Sequence, residues 1–293
     1  MLSMTFDILT ARIAFEDAER EIVRQTDRRM MADFPFVYKK LQEVYPAGWE
    51  KSIACISELA AQTQIPEELI ALWFCLKFSV DYAYPKYKAQ GIPDEIFCAT
   101  MGNALKYMEW TRLRANRFGI LLHPFFRSFC NLLELHAFRI GTMNFERINI
   151  ECDLEVDGAA IKKGDPCISV HIPRGCDFTE STCEATFAAA KAFFQKYYGL
   201  ETVFCHCWSW LMHPWISEML PKSSNLVKFQ QKFKLYSVGS SKTSPLEYVF
   251  PEHYKPGDTS FEHYPENTSL QKALKDRLRK DLPVGASKGI RLL

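Results

Sequence analysis

The sequence predicts an α+β protein of two domains, a helical N-terminal domain (1–118) and a mixed-sheet α/β domain (119–293). Three observations predict this arrangement. The first ~115 residues follow the three-to-four-residue apolar period of helices. Short strand-like runs begin after Phe118-Gly119, and from residue 166 strand-like and helix-like segments alternate. At 293 residues and 47% hydrophobic composition, the chain is long and apolar enough to bury a substantial core.

Two helices of the N-terminal domain have the same type of start. They are predicted in "IPEELIALWFCLKFSVDYAY" and "IPDEIFCATMGNALKYMEWTRLRANRF". Pro66 and Pro93 stand where a first helical residue needs no N–H, and acidic residues follow both prolines, where the positive end of the helix dipole favours them. We therefore expect helices to begin at these two prolines.

The C-terminal domain begins with strand-like runs and continues with alternating elements. The runs "AFRIGTMNFERINIE" and "DPCISVHIP" are separated by a turn-rich "EVDGAAIKKG". A strand at 167–172, a helix at 180–198, a strand at 202–210, a helix at 215–233 and strands at 234–238 and 246–250 should follow. Loop is expected around the last strand, over 239–268. "TSLQKALKDRLRKDL" then predicts an amphipathic helix with its leucines on one side.

Charge and hydropathy limit the partners. The chain has 36 Lys+Arg and 35 Asp+Glu, so it has no overall field to attract nucleic acid or an anionic membrane, and the helical half has no basic recognition helix for DNA. No apolar run approaches the ~20 residues that span a bilayer, and the start of the chain does not resemble a secretion signal. We predict a cytoplasmic protein with no nucleic-acid and no membrane partner, whose ten cysteines are reduced.

The stretch "VFCHCWSWLMHPW" (203–215) allows three interpretations: a metal site, a Cys/His nucleophile, or a buried strand. Cys205 and Cys207 are two residues apart, not at the spacing of a zinc site, and no second cysteine pair of zinc-finger spacing occurs. On a strand they face away from His206, so only a distant histidine such as His171 could activate them. We predict no metal site and favour core cysteines over a thiol enzyme. The tryptophans and nearby phenylalanines (Trp208, Trp210, Trp215, Phe229, Phe233) are also expected mainly in the core.

An ordered set of short strings over about residues 90–293 resembles a bacterial family of acyltransferase domain-containing proteins, in which a helical N-terminal domain precedes a GNAT-like C-terminal domain. The strings are "IPDEIF", "FRIGTMNFE", "VHIPRG", "CWSWL", "SSNLVKFQ" and "TSLQKAL". The resemblance implies a GNAT-like fold and an enzyme that transfers an acyl group, with acetyl expected, from acetyl-CoA or another acyl-CoA to a small-molecule or peptide amine. The alternative is a catalytically inactive GNAT-like binding or regulatory module.

The resemblance also implies where CoA would bind. The strands 167–172 and 202–210 would splay apart and admit the pantetheine arm. The candidate cofactor-binding residues are Ile172, Arg174, Gly175, Ser181, Thr182, Asn225 and Phe229. Two departures stand against CoA binding and the usual chemistry. The loop "HIPRGCDFTEST" lacks the family's glycine-rich pyrophosphate string and carries Asp177 and Glu180, and Lys232 stands where the family has a tyrosine acid. Tyr236, Ser209 or water would have to replace that acid.

Amine acylation needs a base to remove a proton from the attacking ammonium. His171 is the first candidate, because it ends a predicted strand and has an ordinary pKa near ~6.5. Glu146 is the second, as a carboxylate entering from the central hairpins, and His206 is the third. A hydrogen-bonded strand histidine, an exposed strand-end glutamate and a core histidine are the respective structural alternatives.

Overall fold

The computed structural model describes residues 4–240, 245–255 and 260–293. The chain divides into two compact units, Met1–Arg139 and Ile140–Leu293. Residues 119–139, which the sequence analysis assigned to the second domain, lie in the first unit by this division. The predicted domain boundary at 118/119 stays a prediction.

The first unit is helical. Its helices are α1 (Phe6–Arg12), α2 (Asp17–Asp33), α3 (Pro35–Val44), α4 (Trp49–Thr63), α5 (Glu67–Phe78), α6 (Tyr84–Ala89), α7 (Asp94–Met101), α8 (Asn103–Ala115) and α9 (Arg127–Leu133). Helices α5 and α7 begin directly after Pro66 and Pro93, as predicted. The interior of α5 is buried all round, from Ile70 to Leu76, which is typical of a central helix.

The second unit has a mixed sheet with helices packed against it. Its strands are β1 (Ala137–Ile140, which crosses the division), β2 (Met143–Asn149), β3 (Leu154–Val156), β4 (Ala159–Ile161), β5 (Pro166–His171), β6 (Phe204–Ser209), β7 (Lys234–Val238) and β8 (Ser287–Leu292). Its helices are α10 (Glu180–Tyr198), α11 (Trp215–Met219), α12 (Asn225–Gln230), α13 (Leu246–Val249) and α14 (Ser269–Arg279). The six-stranded sheet has the order β1-β2-β5-β6-β8-β7, and β3 and β4 pair separately.

The sequence analysis assigned several elements of this unit wrongly. The segment 246–250 is not a strand: Leu246 and Phe250, four residues apart, both pack into a core cluster with α14, and this spacing suits a helical turn. The predicted helix 215–233 is two helices, separated around Leu220-Pro221. The "EVDGAAIKKG" region forms the β3–β4 hairpin, turned by Asp157 and Gly158 at positive φ. Within the predicted loop 239–268, residues 241–244 and 256–259 lie outside the described residues.

Strand β8 was not predicted, yet it lies inside the sheet between β6 and β7. It runs antiparallel to both neighbours. Helix α14 was predicted, and it begins with a capping box formed by Thr268 and Gln271. Its leucines pack into the cluster with α11 and α13, as the sequence pattern indicated.

Candidate active site

The central strands separate reactive-looking side chains onto two faces of the sheet. Adjacent residues on a strand point to opposite faces, so Ser169 and His171 share one face of β5, and His206 and Trp208 share one face of β6. The register places Glu146 opposite Ser169 and Ser169 beside His206, which puts all three on the same face. We call Glu146, Ser169, His171 and His206 the polar row.

Glu146 and His171 of the polar row form a direct pair. The Nε2 atom of His171 lies 2.7 Å from Oε2 of Glu146. Because an ionised carboxylate only accepts hydrogen bonds, Nε2 is the donor, and in the neutral ring the lone pair is then on Nδ1. The side chain of His171 is 53% exposed and that of Glu146 26%. The pair therefore presents a ring nitrogen able to take a proton at the C-terminal end of β5.

His206 is in a different state from His171. It is buried, and its Nδ1 lies 3.3 Å from the Oγ of Ser169. Burial lowers the pKa of His206 to about 4, with a further lowering from the charge of Lys288. A ring with this pKa is neutral at neutral pH and a weak base there. The structure therefore supports the core alternative for His206.

The opposite face of β6 carries the thiols. Cys205 and Cys207 are fully buried, and burial raises the pKa of both, that of Cys207 to about 12. Their protonated thiols are poor nucleophiles at neutral pH. This supports the interpretation of the two residues as core cysteines.

The central strands pair over only part of their length. The parallel register joins β5 to β6 at Ile168 with Cys205 and at Ser169 with His206. Beyond these positions β5 stays paired to β2 as far as His171, and β6 stays paired to β8 as far as Ser209. The two strands thus keep their outer partners while their mutual pairing ends. The wedge that the resemblance implied would open at this point, and it stays a prediction.

Beyond the paired positions, some backbone groups of each strand point toward the other strand. Amides along a strand alternate in direction, so within Val170–His171 and within Cys207–Trp208 one residue of each two points its N–H and C=O toward the other strand. An extended ligand entering here would meet donors and acceptors from both sides.

The loop after β5 has space for a ligand but carries a carboxylate at the helix start. Gly175 has φ +73°, and a Cβ there would meet no atom within 4 Å. Asp177 accepts hydrogen bonds from the backbone N–H of Thr179 (2.8 Å) and the hydroxyl of Thr182 (2.8 Å). These bonds hold the pKa of Asp177 below its usual range. A carboxylate of the chain itself thus lies at the start of α10, where it bonds the N-cap N–H and a hydroxyl rather than the N–H groups of the first turn.

The other predicted CoA residues are distributed over this end of the unit. Ile172 and Arg174 lie in the loop after β5. The Nη2 atom of Arg174 lies 3.6 Å from Oε1 of Glu252. Ser181 is exposed in the first turn of α10, and Asn225 is the first residue of α12. Phe229 is buried and packs against Phe178, Phe187 and Phe233, which favours a core role.

The structure describes Lys232, which stands at the position of the family's acid, and the two side chains considered as its replacements, Ser209 and Tyr236. Lys232 forms a 2.6 Å ion pair with Glu184. The hydroxyl of Ser209 accepts a hydrogen bond from the N–H of Leu211. Tyr236 lies nearer the polar row, with its ring 6.1 Å from that of His206, and burial raises its pKa.

Two features of the site differ from the sequence analysis. Ser169 was not singled out, although its position two residues before His171 on a strand was a signal for the same face. Trp208 was expected in the core but is 66% exposed on the polar-row face, where the Lys288 ammonium lies 5.5 Å from its ring centre. The prediction for Trp208 was wrong, because this residue lies near the end of β6, where its side chain is exposed to solvent. Trp215, Phe229 and Phe233 are buried, as predicted.

Within residues 4–240, 245–255 and 260–293, no group of three or more His, Cys, Asp or Glu side chains is arranged to hold a metal ion. Over the same residues, no helix combines the length and apolarity needed to cross a bilayer. The cytoplasmic location stays a prediction.

Comparisons with known proteins agree on the fold. The sequence model of a family described as "GNAT-like C-terminal domain" matches residues 137–291. Among solved structures, the chain is similar to an acyltransferase in complex with decanoyl-CoA and teicoplanin, at 17% identity and a TM-score of 0.73, covering 97% of this chain and 86% of that one. It is also similar to an acyltransferase in complex with decanoyl-CoA, at 15% identity and a TM-score of 0.66, covering 98% and 99%. No curated protein sequence matches. At these identities the likeness concerns the fold, and the predicted GNAT-like mixed-sheet fold is confirmed.

Proposed function

The chain belongs to the family of proteins with a GNAT-like C-terminal domain, and on this premise we propose that it is an N-acyltransferase that moves an acyl group from acyl-CoA to an amine. The observation that carries the proposal is that the pairing of β5 with β6 ends after Ser169 and His206, with the Glu146–His171 pair close to that point. The similar acyltransferases that were solved with acyl-CoA support the same assignment.

His171 is the proposed base. Its Nδ1 would take the proton from the acceptor's ammonium, and the Glu146 carboxylate would hold the ring in orientation and stabilise the imidazolium that forms. The exposure of His171 gives a substrate access to the ring, whereas His206 is buried. Glu146 therefore acts as a positioning residue in this proposal.

The wedge would hold the acyl donor. The strand amides that point into the gap supply hydrogen bonds for an extended pantetheine arm, and one such N–H can stabilise the negative charge that develops on the thioester oxygen. The guanidinium of Arg174 would contact the phosphates, and the absence of a side chain at Gly175 would leave room for them. Since the acid usual in the family is replaced by Lys232, we assign to a water molecule the relay of a proton from the acylated nitrogen to the leaving thiolate in this proposal.

One observation favours the alternative of a catalytically inactive binding or regulatory module. Asp177 places a negative charge at the start of α10, so it would repel a CoA phosphate that approaches this helix end. The alternative predicts that acyl-CoA does not bind.

Release of the free CoA thiol tests the proposal. The full chain is mixed with acetyl-, octanoyl- or decanoyl-CoA and with a panel of small amines and a lysine peptide. We expect amine-dependent release, with acetyl-CoA as the expected donor; the longer donors test the acyl length, because the similar acyltransferases hold octanoyl- and decanoyl-CoA. The variant His171→Gln should lower kcat/KM by about 10²–10⁴.

Matched variants separate the roles. Glu146→Gln keeps the shape of the side chain but not its charge and should lower kcat/KM by about tenfold. His136→Gln, at an exposed histidine outside the proposed site, should leave the rate unchanged. If no acyl-CoA stabilises the protein thermally by the ~2–4 kcal/mol that a large excess should give, and none releases CoA, the enzyme assignment is wrong and the inactive module is favoured. Equal rates for His171→Gln and the wild type would refute the base assignment.

A further inference from the structure

A pocket of about 470 Å³ lies wholly within the helical unit. Its apolar lining comes from Ile22 of α2, from Pro66 and Leu69 at the start of α5, and from Phe118. Its charged lining consists of Glu67, Glu68 and Arg117. The lining is therefore mainly apolar, with two acidic side chains and one basic side chain.

A close backbone contact explains how Arg117 and Phe118 reach this place. The N–H of Ile120 donates to the carbonyl of Glu68 at 2.9 Å. Gly119, the residue before Ile120, has φ +124°. A Cβ at this position would lie 2.3 Å from the backbone carbonyl oxygen of Glu68. Only glycine allows this approach, so the chain after α8 is held directly against the first turn of α5.

Glu68 lines the pocket and has one side-chain oxygen without a hydrogen-bond partner among the described residues. The residue is only 1% exposed, and its Oε1 accepts from Nη1 of Arg117 at 2.7 Å. Its Oε2 is buried and has no hydrogen-bond partner among the residues that the structure describes. A buried carboxylate oxygen without a donor is costly and rare, so it calls for an explanation.

The charges around the pocket select the sign of a ligand. Glu67 and Glu68 contribute two carboxylates against the single guanidinium of Arg117, whose side chain is 62% exposed. An anionic ligand would be repelled. A divalent metal ion would need several more oxygen ligands than this apolar lining offers.

We propose that this pocket binds an organic amine with a small apolar body. The ammonium group donates to Oε2 of Glu68, and the body packs against Pro66, Leu69 and Phe118. Arg117 neutralises part of the carboxylate charge and competes with the ligand. This site is independent of the proposed acyl transfer.

Binding of hexylammonium to the full chain, measured by calorimetry without acyl-CoA, tests the proposal. Hexanoate and hexanol, of equal chain length, serve as anionic and neutral controls. We expect a Kd on the order of 1 mM for the ammonium, which is typical of such a small ligand, and no saturable binding of hexanoate.

Two substitutions should act in opposite directions. Glu68→Gln should weaken hexylammonium binding by about tenfold or more, because it removes the charge that pairs with the ligand. Arg117→Gln should strengthen it by about threefold to tenfold, because it removes the competing cation. A purely structural ion pair predicts no binding in any of these proteins.

Substitutions of Ile22 test the proposal even if the Glu68→Gln variant does not fold. Ile22 is 41% exposed at the rim, so Ile22→Lys should fold, and its added charge should weaken hexylammonium binding severalfold, whereas Ile22→Gln should weaken it less. No saturation by hexylammonium, equal binding of hexanoate, or unchanged binding in both Glu68→Gln and Ile22→Lys would overturn the proposal. Because the assay contains no acyl-CoA, its failure is distinguishable from a failure of the acyltransferase assignment.

Discussion

The buried histidine of the polar row should make the protein lose stability as the pH falls. In the folded protein the pKa of His206 is about 4, mainly because burial penalises the charged ring, with a smaller contribution from Lys288 and opposition from Glu151. In the unfolded chain the pKa should be near 6.5. Between these values the unfolded chain binds more protons than the folded protein, so the free energy of unfolding rises with pH across this window.

The size of the effect follows from the shift. At about 1.4 kcal/mol per pKa unit, the difference between about 6.5 and about 4 amounts to about 3 kcal/mol. This contribution is fully present above pH ~6.5 and is lost as the pH falls to about 4. His206 is only 7% exposed, so solvent screening reduces the value little.

Denaturation by urea at several pH values between about 4.5 and 7.5, for wild type and His206→Asn, would measure the effect. Asparagine does not titrate and can keep a hydrogen bond to Ser169 at the position of Nδ1. The free energy of unfolding of the wild type should fall by about 2–3 kcal/mol more than that of the variant over this range. Cys207→Ala, on the same strand, should lower stability equally at every pH, because the pKa of Cys207 is about 12. If the wild-type and His206→Asn curves run parallel, His206 is not a buried neutral ring.

Three further predictions concern single positions. Gly119→Ala should lower the free energy of unfolding by about 2 kcal/mol or more, since it adds strain at positive φ and a clash with Glu68, and a change below about 0.5 kcal/mol would contradict the backbone contact. Asp177→Asn should tighten CoA binding in calorimetry by about threefold to tenfold if phosphate approaches the start of α10, whereas unchanged affinity would place the phosphate elsewhere. Lys275→Met should cost about 2–4 kcal/mol in urea denaturation, because the ammonium hydrogen-bonds the buried carbonyl of Tyr264, and an unchanged midpoint would refute this role.

Helix starts and the main strand order were predictable because they depend on local chemistry. A proline followed by acids fixes the first turn through φ and the helix dipole, whatever packs later, and α5 and α7 begin as expected. Strands β2, β5 and β6 each contain aromatic or β-branched residues, which favour extended backbone. These signals reside in a few neighbouring residues.

Strand β8 was missed because tertiary contacts replace the usual alternation of apolar and polar residues. Lys288 pairs with Glu151 on one face, while Arg291 on the other lies 4.4 Å from the ring of Phe187. The long stems of these residues cover aromatic surface while their charges find partners. At Gly289 a Cβ would lie 2.6 Å from Met212 Cε, so the glycine reflects close packing rather than a turn. None of this is visible in a six-residue string.

The site was predictable to the level of strand faces and no further. Alternation along β6 placed Cys205 and Cys207 opposite to His206, and the structure agrees. The pairing of Glu146 with His171 required the antiparallel register of β2 and β5, which joins residues 25 positions apart. A register of this kind is set by packing over the whole sheet, so sequence reasoning named both residues as candidates but could not join them.

The different burial of the side chains on the two faces of the sheet limits which of them can act as a nucleophile or a base. A nucleophilic thiol must ionise, but burial raises the pKa of Cys205 and of Cys207, and the charge of Arg291 opposes this only in part at Cys205. A base must be reached by the substrate and hold a lone pair at neutral pH. His206 has the lone pair but lies buried beside Ser169, whereas His171 has an exposed ring and a carboxylate on one nitrogen. Of these four residues, only His171 is exposed enough for a substrate to reach it, so the acyl-transfer proposal depends on that one ring.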